Sequence, residues 1–378
     1  MGNVNNMTNK ERFIRLFQGK PVDRAPFIDA MGVCNYRSCL TRWKSEGLNE
    51  NVGWAEVQKI IGFDYVRGYL LYPKLLFYPE FDVIFVRREE DKTYTRNRWG
   101  GMEIQKDGSE LMPITIEGPV KDRYTWESVK ERLIGNITER LPQNFSAMCK
   151  EAAASDLPVY TGDLPAGFFG GPREILGFEN LMYIFYDDPE LISEILDTLC
   201  DLWINIYTEI QKHVNLDYVF IWEDMCSKSG PLISPSAFRE FLLPRYKRLI
   251  NAVRKNGKGG DMPHFMVDSD GDERPLVPLW LEGGVNIVFP WETQFGLDIA
   301  AVRREYPTMG MIGGLDKHVL EFSREDIDAE LAKVPYMLER GYYIPSLDHG
   351  VTNQVSWDNY RYFYEKLREL VYKYPPQI

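Results

Sequence analysis

Short apolar runs alternate with longer amphipathic stretches along most of this chain. The apolar runs cover residues 158–162, 218–222, 264–267, 286–291 and 342–344. Each has the length of a buried strand, and the stretches between them repeat apolar residues every three or four positions, as amphipathic helices do. Strands that alternate with helices predict a parallel sheet with right-handed crossovers.

The predicted helices follow the same spacing. Apolar residues recur at Leu191, Ile195, Leu199, Leu202 and Ile206, which predicts a helix over 188–213. Near the start of the chain, Thr8 and Glu11 have the spacing of a capping box. Further helices are predicted near 51–61 and over 235–253, 274–282, 297–305, 324–338 and 356–371, with early strands at 27–28 and 65–71.

One segment departs from this alternation. Residues 83–96 and 102–106 alternate apolar and polar positions with a period of two, and Gly100 and Gly101 separate them. A period of two is typical of half-buried strands joined by turns. We therefore predict an antiparallel excursion over 83–106, beside an otherwise parallel sheet.

The pattern as a whole predicts a single α/β domain over residues 1–378, folded as a (β/α)₈ TIM barrel. Closure into a barrel is preferred to an open doubly wound sheet because no Gly-x-Gly-x-x-Gly motif follows an early strand. Gly310, Gly313 and Gly314 are assigned to an ordinary turn at the end of a strand.

Composition narrows the classes of partner. The net charge of −12 argues against nucleic acid and against an anionic membrane surface. The five cysteines form no Cys-x-x-Cys pair, and neither the polar N-terminus nor any later stretch has the apolar length of a signal sequence or a membrane span. We expect a protein of the reducing cytoplasm.

Acidic residues follow each of the five apolar runs. They are Asp163, Glu223 with Asp224, Asp268 with Asp270, Glu292, and Asp348 beside His349. In a barrel of parallel strands the carboxyl ends meet at one mouth, where catalytic groups lie. The alternative reading is that some of these acids only cap helices, a position that Asp favours. As a set, they predict an active site.

The strongest candidates for chemistry are Asp268, Asp270, His349 and Glu223. Two carboxylates two residues apart can hold a metal ion or share one proton, and a histidine can serve as a ligand or as a general acid. An Asx turn with a helix cap is the structural alternative for Asp268 and Asp270. We assign substrate contacts to Asp163, Trp291, Glu292 and Asp316.

Several motifs together resemble the uroporphyrinogen decarboxylase superfamily. They are Glu11-Arg-Phe-Ile-Arg-Leu-Phe-Gln-Gly-Lys-Pro-Val-Asp-Arg-Ala-Pro26, Ile233-Ser-Pro-Ser-Ala-Phe-Arg-Glu-Phe-Leu-Leu-Pro-Arg-Tyr246, Val267-Asp-Ser-Asp-Gly-Asp272, Gly313-Gly-Leu-Asp316 and Asp348-His-Gly-Val. The resemblance implies a single (β/α)₈ barrel. It also implies one of two activities, since the superfamily holds decarboxylases and zinc-dependent, corrinoid-linked methyltransferases.

Two departures from the superfamily separate these branches. The Arg-Gln-Ala-Gly-Arg run, with which the decarboxylases hold tetrapyrrole carboxylates, is missing from the stretch that begins at Asp29. The methyltransferase zinc ligands, a His-x-Cys motif with a distant Cys, correspond here to Asp268, Asp270 and His349. Harder ligands of this kind would make a metal ion more electrophilic and better suited to an oxygen leaving group.

The resulting hypothesis is a metal-dependent methyltransferase that demethylates an oxygen-linked donor such as a methoxylated aromatic. It implies zinc or another divalent metal held by Asp268, Asp270, His349 and Glu223, and a corrinoid acceptor carried by a separate protein. Two alternatives stay open: a decarboxylase of uroporphyrinogen or of a smaller acid, and a non-catalytic barrel that binds a corrinoid or tetrapyrrole. A homodimer is one further option.

Overall fold

The computed structural model describes residues 7–32, 36–257 and 262–378. Residues 1–6 of the polar N-terminus and Cys34, which supported the expected cytoplasmic location above, lie outside the described residues. The chain divides into two units. Unit 1 comprises Met1–Tyr69, Asp156–Pro158 and Asn286–Ile378, and unit 2 comprises Leu70–Ser155 and Val159–Val285. Elements are numbered below in chain order.

Unit 1 contains three early helices and a parallel βα succession. Its elements are α1 (Asn9–Phe17), α2 (Tyr36–Ser45), α3 (Trp54–Ile61), β11 (Ile287–Trp291), α13 (Ile299–Glu305), β12 (Gly310–Leu315), α14 (Arg324–Leu331), α15 (Val334–Glu339), β13 (Tyr343–Leu347) and α16 (Trp357–Lys373). Strands β11, β12 and β13 pair in parallel and every residue in them is buried. Full burial is expected of parallel strands that are covered on both faces.

The N-terminal helix of unit 1 forms as its sequence predicts. The Thr8 side chain accepts a hydrogen bond from the Glu11 backbone N–H, and the Glu11 carboxylate accepts one from the Thr8 N–H. This capping box satisfies two of the backbone donors that a helix start leaves unpaired. The helix buries Phe13, Leu16 and Phe17 along one face.

Unit 2 contains a second run of parallel strands with their helices. Its elements are α4 (Arg123–Val129), α5 (Glu131–Ile134), α6 (Phe145–Ala154), β6 (Val159–Gly162), α7 (Gly170–Leu176), α8 (Phe178–Asp187), α9 (Pro189–Gln211), β7 (Tyr218–Trp222), α10 (Pro235–Ala237), α11 (Leu243–Asn256), β10 (His264–Asp268) and α12 (Val277–Gly283). Strand β7 pairs in parallel with β6 and with β10. A short hairpin, β8 (Cys226–Ser227) with β9 (Gly230–Pro231), follows β7, and β1 (Tyr69–Leu70) lies at the boundary between the units.

The predicted antiparallel excursion is present in unit 2 and is longer than predicted. It has four strands in the order β2 (Ile84–Glu89), β3 (Lys92–Arg96), β4 (Met102–Lys106) and β5 (Ile114–Glu117). The sheet is attached to α7 by a hydrogen bond of 2.7 Å from the Thr115 hydroxyl to the Glu174 carboxylate. The expected end at residue 106 was wrong because β5 adds another strand after the turn.

Two predicted helices are interrupted, and proline explains both breaks. The helix predicted over 235–253 consists of α10, a five-residue π turn and α11, and the one predicted over 324–338 consists of α14 and α15. Pro244 and Pro335 lie in the first turn of α11 and α15. Proline has no backbone N–H to donate and is tolerated in a first turn, so a new helix begins there.

The assignment of Gly310, Gly313 and Gly314 to a turn was also wrong. All three lie inside strand β12 and are buried. Gly313 and Gly314 have φ angles of 103° and 76°, and a Cβ on Gly314 would lie 2.6 Å from the Ile299 side chain. Glycine is therefore needed in this strand for both its conformation and the close approach of α13.

The α/β class is confirmed, with parallel strands that alternate with helices and a separate antiparallel sheet. Among the residues that the structure describes, no helix combines the length and the apolar content needed to cross a membrane.

Candidate functional site

Strand β6 of unit 2 ends at a strained acidic residue. Asp163, which follows directly, has a φ angle of 129°, although it is not glycine. Its carboxylate accepts a hydrogen bond of 2.8 Å from the Leu164 N–H, and its carbonyl accepts one of 2.6 Å from Ala166. Such a backbone costs about 1–3 kcal/mol and is found most often at functional sites.

A cavity of about 460 Å³ opens beside Asp163, and unit 2 supplies its whole lining. Its aromatic wall, defined here as Tyr72, Phe77, Tyr78 and Trp99, comes from the segment after β1 and from the turn between β3 and β4. The volume lies within the range of small-molecule sites, roughly 300–1,000 Å³. Phe77 and Trp99 are buried, so Tyr72 and Tyr78 are the rings of this wall on which an aromatic ligand can pack.

Charged side chains also line the cavity, and most of them already have partners. Lys74 makes an ion pair of 2.8 Å with Glu80. Arg140 is buried and donates to the carbonyls of Leu76, at 2.5 Å, and of Lys74 and Arg132. Burial lowers the pKa of Arg140 to about 10, so the side chain stays charged at neutral pH.

Arg98 is the more accessible cation of this cavity. It is exposed, and its guanidinium lies 4.9 Å from the ring centroid of Trp99. A guanidinium stacked on a ring keeps its N–H groups available at the edge. The cavity therefore offers an aromatic wall and a cation that can bind one anionic group.

Glu223, which directly follows β7, has a carboxylate that is fully engaged in hydrogen bonds to neighbouring segments. Its carboxylate accepts backbone hydrogen bonds from Phe168, Phe169 and Gly170 at 2.8, 2.5 and 3.1 Å, and a short one from the Tyr246 hydroxyl. Burial raises the pKa of Glu223, while these hydrogen bonds oppose the rise. The carboxylate thus joins β7 to the segment that leads into α7.

Glycine makes this close approach possible. A Cβ on Gly167 would lie 1.8 Å from the Trp222 carbonyl oxygen, and one on Gly170 would lie 2.3 Å from it. Either side chain would push the 167–170 segment away from β7. The three backbone donors reach Glu223 because nothing larger than glycine stands at these positions.

The other acids of unit 2 border the same strand ends. Asp224 has a φ angle of 44° and makes an ion pair of 2.9 Å with Arg173. The carbonyl of Asp268 accepts the backbone N–H groups of Glu223 and Asp224 at 2.9 and 3.1 Å. Strand β10 ends at Asp268, so the strand pleat does not extend to Asp270, and both residues are half-buried.

Unit 1 brings its predicted acids to the carboxyl ends of β11, β12 and β13. Asp348 is buried and accepts hydrogen bonds from the backbone N–H groups of Thr293, at 3.0 Å, and Lys317, at 3.1 Å. Burial raises the pKa of Asp348. Asp316 accepts from the His318 N–H and caps the short 3₁₀ turn that follows it. Both carboxylates fasten neighbouring loops.

His349 and Glu292 lie beside them in unit 1. The Nδ1 atom of His349 accepts a hydrogen bond of 2.8 Å from the Gly350 N–H. A neutral ring whose Nδ1 accepts carries its proton on Nε2 and can donate it. The Glu292 carboxylate accepts from the Gln294 amide at 3.0 Å. Trp291 is fully buried and donates to the Val288 carbonyl at 3.1 Å, which gives it a packing role.

The predicted metal ligands were tested against this geometry. Glu223 does not fit, because its two oxygens already accept four hydrogen bonds. A histidine that binds a metal through Nε2 normally donates from Nδ1, whereas His349 accepts there. Among residues 7–32, 36–257 and 262–378, no three His, Cys, Asp or Glu side chains form a group that could hold a metal ion. Glu223 and His349 therefore do not fit the role of metal ligands.

Comparison with known proteins identifies the family. The family model described as uroporphyrinogen decarboxylase (URO-D) matches residues 166–370, more than half of the chain. This chain belongs to the URO-D family. Relatives named uroporphyrinogen decarboxylase from Shewanella piezotolerans and Hydrogenovibrio crunogenus are each 24% identical to it. They match 69% and 71% of this chain and 73% and 75% of their own lengths.

A solved structure extends the comparison over nearly the whole fold. A methyltransferase from Methanosarcina mazei superposes with a TM-score of 0.63 at 15% identity, covering 96% of this URO-D chain and 99% of the other. At this identity the likeness shows a shared fold. The match of the URO-D family model to residues 166–370 confirms the predicted membership of the superfamily.

Several residues of interest in this URO-D protein were missed from the sequence. Asp29 is buried, accepts from the Gly32 N–H and the Tyr360 hydroxyl at 3.0 Å each, and has its pKa raised by burial. It follows the apolar pair 27–28 as the other acids follow their strands, and that signal could have found it. Arg98 and Trp99 gave no such signal, because only the folded chain brings them to the cavity.

Proposed function

We propose that this URO-D protein is a demethylating methyltransferase. It would move a methyl group from an oxygen-linked donor, such as a methoxylated aromatic, to a corrinoid cofactor carried by a separate protein in the cytoplasm. Family membership indicates an enzyme of the decarboxylase or the methyltransferase type. A single closed (β/α)₈ barrel over residues 1–378 is part of the proposal, and a crystal structure with an open sheet would contradict it.

The aromatic wall of the cavity beside Asp163 is the observation that carries the proposal. Tyr72, which is 56% exposed, and the half-buried Tyr78 provide surfaces on which a methoxylated ring can pack and be shielded from water. A tetrapyrrole with many carboxylates would need several available cations. Here Lys74 is paired with Glu80, and Arg140 is bonded to carbonyls. These contacts favour a small aromatic donor over a polycarboxylate.

The departing oxygen must receive a proton or another positive partner as its bond to the methyl carbon breaks. His349 stays a catalytic candidate because its Nε2–H can donate a hydrogen bond to such an oxygen, and the proton that the oxygen finally gains comes from water. We also assign catalytic roles to Asp268 and Asp270, whose carboxylates would interact with the charge that develops during methyl transfer. When bound, a reduced corrinoid supplies the nucleophile that accepts the methyl group.

Zinc or another divalent metal remains a prediction from the sequence. The sequence predicts Asp268, Asp270, His349 and Glu223 as its ligands, but the oxygens of Glu223 are bonded to backbone donors and the Nδ1 of His349 accepts a hydrogen bond. Elemental analysis of the purified protein tests it directly. Metal content that is unchanged in a His349→Ala variant would exclude that ligand.

The reaction is tested by incubating the protein with a reduced corrinoid and a panel of methyl ethers, and by recording the spectrum of the methylated cofactor. We expect methylation with methoxylated aromatics and none with aliphatic ethers. Uroporphyrinogen is included as a control because two relatives of this chain are named uroporphyrinogen decarboxylase. Decarboxylation of uroporphyrinogen without methyl transfer from any donor would favour the alternative.

A matched pair of variants tests the binding role of the cavity. Tyr72 lines it and is 56% exposed, whereas Tyr186 lies on α8 and is 77% exposed. Tyr72→Ala should raise KM for an aromatic donor about tenfold, because it removes one ring contact. Tyr186→Ala should leave KM unchanged. Equal values in the two variants would show that the donor binds elsewhere.

A further inference from the structure

One turn of the antiparallel sheet presents a cation to the aromatic cavity of unit 2. Residues 97–101 join β3 to β4, and Arg98 and Trp99 in this turn line the cavity. The buried Asn97 side chain accepts hydrogen bonds of 3.0 Å from the backbone N–H groups of both Trp99 and Gly101. One carboxamide therefore fixes the backbone on either side of Arg98.

The same turn is anchored to the segment that precedes β2. The Arg98 carbonyl accepts a hydrogen bond of 2.8 Å from the Phe81 N–H. The Phe81 ring lies 5.6 Å, centroid to centroid, from the buried ring of Phe77, which belongs to the cavity wall. Arg98 thus has its position before a ligand binds, and a preorganised group loses less entropy on binding.

The Arg98 guanidinium is supported on one face and open at its edge. It lies 4.9 Å from the centroid of the Trp99 ring, and Arg98 is exposed. Among the residues that the structure describes, no carboxylate forms an ion pair with it. A planar guanidinium of this kind can donate two parallel N–H groups to one carboxylate.

A second guanidinium of the cavity also lacks a counter-charge. Arg140 is 1% exposed, and its Nη groups donate to the carbonyls of Lys74, Leu76 and Arg132. No carboxylate in the described part of the chain pairs with it, and its buried Nε has no hydrogen-bond partner there. An uncompensated buried cation is costly, and a negative ligand nearby offsets part of that cost. Arg98 thus supplies the hydrogen bonds, and Arg140 adds only its charge.

The acids of the cavity limit how much negative charge a ligand can carry. Glu80 forms an ion pair with Lys74, whereas Glu139 and Asp163 pair with no cation in the ranges that the structure describes. A ligand with several carboxylates would bring like charges against Glu139 and Asp163, and like charges repel. The lining therefore favours a ligand with one negative charge.

We propose that Arg98 determines the specificity of this cavity by binding a single carboxylate on the aromatic ring of the methyl donor. The ring packs on Tyr72 and Tyr78, and the carboxylate accepts N–H groups from the Arg98 guanidinium. This inference rests on the proposed function and narrows the donor to methoxylated aromatic monocarboxylates. Neutral methyl ethers would lack the pairing with Arg98, and polycarboxylates would meet Glu139 and Asp163.

Isothermal titration calorimetry with two probes tests the pairing. The probes are para-methoxybenzoate and para-methoxybenzamide, which share the ring and the methoxy group and differ in charge. The wild-type chain should bind the benzoate at least about tenfold more tightly, as a charge-assisted pair predicts. Arg98→Gln should bind the two probes with equal affinity. Arg98→Lys keeps the charge but loses the planar fork, so it should retain part of the preference.

Arg96→Gln is the matched control. Arg96 lies on β3, is exposed and lies outside the cavity lining. Its removal changes the net charge of the chain by the same amount, so the preference for the benzoate should stay as in the wild type. A preference lost equally in Arg96→Gln and Arg98→Gln would attribute it to the general charge and overturn the proposal. Circular dichroism checks that both variants fold as the wild type does.

Two further results would overturn the assignment. One is a wild-type chain that binds the two probes equally or binds neither of them. The other is a preference for the benzoate that is unchanged in Arg98→Gln while Arg96→Gln behaves as the wild type.

The methyl-transfer assay separates this inference from the proposed function. Transfer from neutral and carboxylated donors with equal kcat/KM would contradict the inference and leave the reaction standing. Selective binding of the benzoate without transfer from any donor would support the carboxylate site and contradict the reaction. Where transfer occurs, Arg98→Gln should raise KM for the benzoate about tenfold and leave kcat unchanged, because Arg98 contacts a group remote from the bond that breaks.

Discussion

Two buried carboxylates, Glu223 in unit 2 and Asp29 in unit 1, follow apolar segments and are bonded by tyrosine hydroxyls, yet they are held differently. Glu223 accepts three backbone N–H groups from one segment in addition to Tyr246. Asp29 accepts one backbone N–H, from Gly32, and one hydrogen bond from the Tyr360 hydroxyl. The first therefore organises a loop, whereas the second anchors helix α16.

The largest difference should appear when each carboxylate is removed. Glu223→Ala leaves three backbone donors buried without an acceptor and should lower the free energy of unfolding by about 4 kcal/mol. Asp29→Ala leaves one such donor and should cost about 2 kcal/mol. Urea denaturation of both variants measures this. Equal losses would show that the additional backbone donors of the 168–170 segment do not add to the free energy of unfolding.

Removing the tyrosine hydroxyls sharpens the same comparison. Tyr246→Phe takes one donor from a carboxylate and should cost about 2 kcal/mol. Tyr360→Phe removes one hydroxyl donor from Asp29, which keeps its bond from the Gly32 N–H, and should cost about 1 kcal/mol. Thermal unfolding of the two single variants checks the order, and a larger loss at Tyr360 would reverse our account of Asp29.

The pH dependence of stability provides a smaller effect. Burial raises the pKa of both acids above their ordinary values of 3.8 for Asp29 and 4.5 for Glu223. The folded protein then holds these protons at pH values where the unfolded chain has released them. The free energy of unfolding should therefore fall as pH rises from about 4, by up to about 1.4 kcal/mol per pH unit for each acid.

Asp29→Asn keeps the shape of the side chain and removes one titrating group. The decline of stability above pH 4 should become shallower in this variant, and urea denaturation at a series of pH values measures the slope. A slope as steep as that of the wild type would mean that Asp29 has the same pKa in the folded and unfolded chains. Asp298→Asn is a suitable control, since Asp298 is an exposed helix cap.

The smallest change in stability is expected at Asp163, which is strained but not fully buried. Asp163→Gly should stabilise the fold by about 1 kcal/mol, because glycine adopts a positive φ angle without strain. If Asp163 contacts the donor, turnover should fall although stability rises. A variant that is both more stable and fully active would show that the strained backbone at Asp163 serves only the turn and has no role in the reaction.

Much of this protein could be read from its sequence. Strands β7 and β10 begin where predicted, the capping box at Thr8 is present, and the acids do follow the strands. Local patterns suffice here because a buried strand and a helix start are each specified by a few neighbouring residues. Pro244 and Pro335 also indicated in the sequence where α11 and α15 begin. The regular spacing of apolar residues across them led to the prediction of longer, continuous helices.

The sequence alone thus determined the family, the alternation of strands and helices and the position of an acid after each of five apolar runs. Only the tertiary structure decided what each acid does. Glu223 binds backbone donors, Asp348 fastens two loops and Asp163 borders a cavity, although all three follow similar apolar runs. The physical reason is that the role of a carboxylate depends on which donors surround it, and those donors come from segments distant in the chain.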